Sequence, residues 1–170
     1  MIGYSKAMKV GIQLVCGVGI CMILAGCGKE PEPVLPEFQP KALNDNARGI
    51  TIASSKAYNC KIVGEMEGHD EVKGKVIGVT KAKIRRGAMN DLKNEAAYAI
   101  KDGQKVMISI TKEEMRCEQY PLDKKGRPIP KARPKNVNCI NWEEISDEKA
   151  KIVSYKVYAD LYDCGNKQIH

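Results

Sequence analysis

The stretch Ile84-Arg85-Arg86-Gly87-Ala88-Met89-Asn90-Asp91-Leu92-Lys93-Asn94-Glu95-Ala96-Ala97-Tyr98-Ala99-Ile100-Lys101 reads as a helix. On a 3.6-residue period, Met89, Leu92, Ala96, Ala99 and Ile100 share one apolar stripe, with Asn90, Asn94, Tyr98 and Lys101 towards the other side. The alanines would let such a helix lie close against a sheet. Gly103 suits a C-terminal cap, and Lys101 suits the negative end of the helix dipole. Asn90 and Asn94 stand one turn apart, so their amides can reach a neighbouring strand or loop; that role is preferred to a solvent-facing one.

Strand patterns flank this helix. Val106-Met107-Ile108-Ser109-Ile110 follows it as a buried strand. The longest strand pattern is Lys151 to Cys164, with Val153, Tyr155, Val157, Ala159 and Leu161 on one face. Upstream, Ile50-Thr51-Ile52 reads as a short strand. Cys60 to Met66 reads as another, with Ile62 and Met66 sharing a face. Between Gly68 and Lys83, Gly74 and Gly78 break any regular pattern. Strands on both sides of one helix predict an α+β fold: a small two-layer sandwich, with a mostly antiparallel or mixed β-sheet packed against one main helix. No internal repeat is present, and 170 residues allow one domain plus appendages.

The N-terminus has a different composition. Lys6 and Lys9 precede an almost unbroken apolar run from Val10 to Ala25, with no acidic residue. A basic start, an apolar run and small residues before a cut site form an export signal. A spanning helix would need roughly 20 apolar residues, so this run is borderline for one. Its end, Leu24-Ala25-Gly26-Cys27, resembles the lipobox of bacterial lipoproteins. The resemblance implies cleavage after residue 26 and acylation of Cys27, making residues 1–26 a lipoprotein signal peptide. It also implies a cell-envelope location held by a lipid anchor. With Gly28 where an Asp resembles an inner-membrane retention signal, the outer membrane is favoured. Residues 27–48, with Pro31, Pro33, Pro36 and Pro40, read as the lipidated N-terminus and an extended tether. Residues 49–170 read as the folded domain.

Of seven cysteines, Cys16 and Cys21 fall in the signal and Cys27 is the anchor. Cys60, Cys117, Cys139 and Cys164 remain, an even number in an oxidising compartment, which implies two disulfides. Three pairings exist. The nested one, Cys60–Cys164 with Cys117–Cys139, is favoured because each partner then ends an element able to meet the other. The separations are wide and no Cys-x-x-Cys occurs, which argues against zinc.

Little in the chain suggests catalysis. His69 and His170 are the sole imidazoles, and no serine or cysteine has a plausible base beside it. Glu67, His69, Asp70 and Glu71 form a cluster of metal-ligand types, but adjacent ligands on a flexible turn seldom preorganise a site. No cofactor motif appears. Of the 28 lysines and arginines, loss of Lys6 and Lys9 leaves 26 against 21 acidic residues. With no basic helix and few aromatics, a nucleic-acid partner is not expected.

The distinctive surface lies in a basic, proline-rich insertion, residues 111–149. Between Cys117 and Cys139 it carries Lys124, Lys125, Arg127, Lys131, Arg133 and Lys135 against Glu118 and Asp123, with Pro121, Pro128, Pro130 and Pro134. Its positive field would attract an anionic partner. The prolines and a disulfide would lower the ordering cost of binding.

The segment Arg86 to Ala97 resembles the central motif of a family of small, uncharacterised enterobacterial-type lipoproteins. So do the strand Cys60-Lys61-Ile62-Val63-Gly64 and the ending Tyr162-Asp163-Cys164. More remotely, the strand–helix–strand plan is similar to the envelope-stress sensor lipoproteins of the Rcs phosphorelay. The resemblance implies an address and a fold, without an activity, and the 111–149 insertion departs from the short members. The expectation is a non-catalytic envelope lipoprotein that binds another envelope protein or an anionic envelope component. The alternatives are a docking accessory of a surface secretion or assembly machine and, last, a small envelope hydrolase.

Overall fold

Three long runs of alternating burial build the sheet in a computed structural model, which describes residues 33–53, 59–100, 105–146 and 148–165. The elements are β1 (Thr51–Ala53), β2 (Lys61–Glu71), α1 (Lys81–Ala99), β3 (Val106–Gln119), β4 (Lys135–Asn138) and β5 (Ala150–Asp163). A single 3-10 turn, Asp45–Ala47, precedes them. The strand order is β1-β3-β5-β2, with β4 on β3, giving a five-stranded mixed sheet. β1 runs parallel to β3; the β2–β5, β3–β4 and β3–β5 pairs are antiparallel. The fold is α+β, one helix packed on one sheet.

The core lies between these layers. From the sheet, Ile108, Met115, Tyr155, Val157, Ala159 and Leu161 are buried; from α1, Ile84, Ala88, Leu92 and Ala96. The helical stripe therefore follows a strict four-residue step rather than the expected Met89–Ala99–Ile100 line. Ala99 is exposed, while Met89 and Ile100 are half-buried. The cause is Gly68 of β2. A Cβ there would lie 2.4 Å from the Ala88 carbonyl oxygen and 2.5 Å from Leu92 Cβ, so its absence centres the helix on Ala88 and Leu92. Thr80 caps the start, its Oγ1 accepting from Lys83 N at 3.2 Å. The expected cap at Gly103 and Lys101 lies outside the described residues.

Bulges shift the sequence pattern. β3 slips against β5 between Ile110 and Lys112, and β5 skips Val153 between the Arg116–Ser154 and Cys117–Ile152 pairs. A bulge reverses which side chains face inward. Val153 is accordingly half-buried and Ile152 takes its place in the core. A third irregularity, between Ile62 and Gly64, separates Ile62 from the face of Met66 and leaves Ile62 exposed.

Two expected boundaries need correction. The 111–149 segment is not one insertion: residues 111–119 continue β3, and Lys135–Asn138 form β4. Only residues 120–134 extend beyond the sheet, while Ile140, Trp142 and Ile145 return to pack on the core. The tether drawn through residue 48 also ends too late, because the compact unit begins at Val34. Phe38 and Ala47 are buried, and Phe38 N donates to the Ile77 carbonyl at 2.8 Å. The prolines set an extended path, but buried Phe38 and Ala47 seat the segment against the fold.

The disulfides are Cys60–Cys164 and Cys117–Cys139, the nested pairing. The first joins the ends of β2 and β5; the second closes the β3–β4 hairpin in the core, where both cysteines are fully buried. Residues 1–32, including Cys27, lie outside the described residues. Among those described, no helix is long and apolar enough to cross a membrane.

Candidate functional site: a basic arm on the sheet

β3 and β4 end in an arm of residues 120–134. At its base, Tyr120 N donates to the Lys149 carbonyl at 2.9 Å, and Lys151 Nζ stands 5.9 Å from the Tyr120 ring centroid. Leu122 and Pro128 form an antiparallel bridge, and Ile129 N donates to the Pro121 carbonyl at 2.9 Å. Gly126, at φ +74°, closes the turn at the tip.

One carboxylate organises that turn. Asp123 Oδ1 accepts from Lys125 N at 2.8 Å and Arg127 N at 2.9 Å. Its Oδ2 accepts from Arg127 Nε at 3.0 Å and Nη2 at 2.9 Å. The backbone hydrogen bond from Arg127 is the main cause of the Asp123 carboxyl's lowered pKa. From sequence alone Asp123 counts only as a charge against the basic run. Its signal is an Asp three residues before a Gly, between two prolines, which specifies a turn.

The six basic residues, five on the arm and Lys135 at the start of β4, thus divide. Arg127 is spent on Asp123. Lys124, Lys125, Lys131, Arg133 and Lys135 are exposed and have no carboxylate partner among the described residues. Two aliphatic side chains accompany them in the open: Ile129 is 44% exposed and Leu122 38%. Leu122 also lines a groove of about 550 Å³ with Trp142, Ile145 and Lys149.

The other residues of chemistry-bearing type lie on β2, α1 and the segment before β1. The Glu67–Glu71 cluster lies in β2, where alternation divides it between faces. Asp70 turns inward, is buried, and accepts from Lys41 N at 3.2 Å. Glu67 pairs with Lys156 at 2.6 Å. His69 Nδ1 lies 3.2 Å from Asp91 Oδ2, and the same oxygen accepts from His69 N at 2.9 Å. Lys41 Nζ completes this group, 2.8 Å from Asp91 Oδ1. Sequence separates these three residues widely and offers no sign that they meet. The group ties the segment before β1, β2 and α1 together through Asp91. Among the described residues, no three metal-ligand side chains are grouped to hold an ion.

Asn90 and Asn94 do reach a neighbouring segment. Asn90 Nδ2 donates to the Lys41 carbonyl at 2.8 Å and Asn94 Nδ2 to that of Ala42 at 2.9 Å, while Asn94 Oδ1 accepts from Asn44 N at 2.9 Å. They strap residues 41–44 across α1. A second polar clamp joins α1 to the sheet: Arg85 donates to Glu113 through Nε at 2.8 Å and Nη2 at 2.7 Å. The Tyr155 hydroxyl donates to the same carboxylate. The Arg85 bonds chiefly hold Glu113 below the usual carboxylate range, and burial chiefly pushes the Tyr155 phenol up.

No family model matches the chain, and no curated protein or solved structure matches it either.

Proposed function

We propose that this chain is a non-catalytic envelope lipoprotein, anchored through Cys27, whose basic arm binds an anionic partner. The observation that carries this reading is the division of charge on the arm. Asp123 and Arg127 are consumed in fixing its shape, leaving Lys124, Lys125, Lys131, Arg133 and Lys135 uncompensated on a disulfide-closed base. A preformed loop loses less conformational freedom on binding than a free one. The lipobox and the family resemblance of Arg86–Ala97 supply the address; the outer membrane is the favoured surface.

The groove formed by Leu122, Trp142 and Ile145 favours a second reading, in which the arm docks onto one protein of a surface assembly. Crosslinking in intact cells from a photoreactive residue at the exposed Ile129 separates the two. Recovery of anionic lipid or glycolipid supports the first, and one defined protein supports the second. The address has its own test: Cys27→Ala should yield an uncleaved chain that takes up no fatty-acid label. Normal labelling of that variant would remove the anchor.

A further inference from the structure

The arm combines lysine-rich charge with exposed aliphatic side chains, and that combination restricts its partner. Binding sites for one carboxylate or phosphate favour arginine, whose planar fork gives two parallel hydrogen bonds. Here the single well-positioned guanidinium, Arg127, already points at Asp123. Four of the remaining five cations are lysines, which act as point charges without a fixed approach direction. Protein interfaces are depleted in lysine and anchored by aromatics or arginine. Every residue from Lys124 to Lys131 is exposed, with Ile129 among them. Lysines around an exposed aliphatic residue match a charged surface with an apolar layer just beneath it.

The length of the N-terminal link supports the same partner. With Val34 onward part of the compact unit, only residues 27–33 separate the expected anchor from the fold. Seven residues span at most about 25 Å when fully extended. A tether of that length keeps the folded unit within about 25 Å of the bilayer, close enough for the arm to enter the surface field, which falls off over a Debye length of about 8 Å.

We infer that the arm is a second bilayer contact: Lys124, Lys125, Lys131, Arg133 and Lys135 lie among anionic phospholipid headgroups, and Ile129 enters the layer below them. This rests on the anchored, anion-binding reading above and specifies its partner. The acyl chains hold the protein at the membrane; the arm fixes its rotation there, so that the opposite end of the sheet faces away.

The test uses the acylated full chain in vesicles of phosphatidylcholine alone or mixed equally with phosphatidylglycerol, each with brominated acyl chains. Ile129→Trp is compared with the parent chain to subtract the signal of Trp142. Expected is bromine quenching of the new indole in the anionic vesicles, its loss at high salt, and little in the neutral ones. Neutralising Lys124, Lys125 and Lys131 to Gln should weaken docking on the order of a hundredfold. These side chains are exposed, and an unchanged circular dichroism spectrum confirms folding of the variant. Soluble polyphosphate serves as a control anion. Absence of quenching alongside slowed amide exchange in the arm with polyphosphate overturns the bilayer contact and leaves the anion-binding reading intact. Absence of both overturns the two together, and failure of the chain to acylate overturns the anchor.

Discussion

Asp70 occupies the space a side chain at position 87 would need: a Cβ on Gly87 would lie 1.7 Å from Asp70 Oδ2. Glycine inside a helix ordinarily costs about 1 kcal/mol relative to alanine. At position 87 the sign should invert. Gly87→Ala must displace a buried carboxylate that holds Lys41 N, and overpacking of this kind costs about 1–3 kcal/mol. Gly68→Ala meets the backbone of α1 and should cost as much or more. Thermal unfolding should show both variants melting below the parent; a raised melting temperature for Gly87→Ala would refute the close approach.

Asn90→Ala and Asn94→Ala should loosen the 41–44 strap with little effect on the sheet. Each loses at least one amide-to-carbonyl bond, worth about 1 kcal/mol. Hydrogen exchange should quicken at Asn44 in Asn94→Ala, because its N–H loses its acceptor. The amides of β5 should be unchanged. Equal quickening across the sheet would mean the asparagines support the whole core.

Glu113 should make stability depend on acid. Its folded pKa lies below the ordinary glutamate value of 4.5, chiefly through the Arg85 hydrogen bonds. The unfolded chain therefore takes up the proton first. The contribution is complete above about pH 4.5 and declines as pH falls through the folded value. Glu113→Gln should lower the unfolding midpoint at neutral pH and flatten its decline in acid. Denaturant titrations at several pH values check this, and an identical acid slope in the variant would exclude Glu113 as a source.

Asp123→Ala should release the arm without melting the domain. The exposed turn loses the acceptor for Lys125 N and Arg127 N, so these two amides should exchange faster. Global melting should stay the same, since the arm lies outside the core.

Peptide mapping without reduction should recover Cys60 joined to Cys164 and Cys117 to Cys139. A Cys60–Cys117 peptide would overturn the topology. The residue separations are 104 and 22, for which chain-entropy reasoning gives about 4–5 and 3 kcal/mol at most. Reduction should therefore compromise the fold rather than merely soften its surface.

The helix, the strand after it and the final strand are legible because each carries several apolar residues at one period. Asn90 and Asn94 are legible as a pair from their one-turn spacing. The extent of β3 is not. Its bulge at Thr111 shifts parity, so Glu113, Met115 and Cys117 fall out of step with Ile108 and Ile110. The seating of residues 34–48 is hidden in another way: Phe38 is one aromatic among prolines and charges, and its pocket is built from distant parts of the chain. The cations of the arm can be counted from sequence, but the pairing that takes Arg127 out of play appears only when Asp123 folds back upon it.

The outer edge of β2 has a consequence for crowding. Near its C-terminal end the His69 N–H is occupied by Asp91, and Glu65, Glu67 and Glu71 lie along the same strand. A strand arriving from a neighbouring molecule would find a donor already engaged and, if it were β2 of an identical copy, would bring carboxylates against carboxylates. Copies brought close together should therefore resist joining their sheets edge to edge through β2.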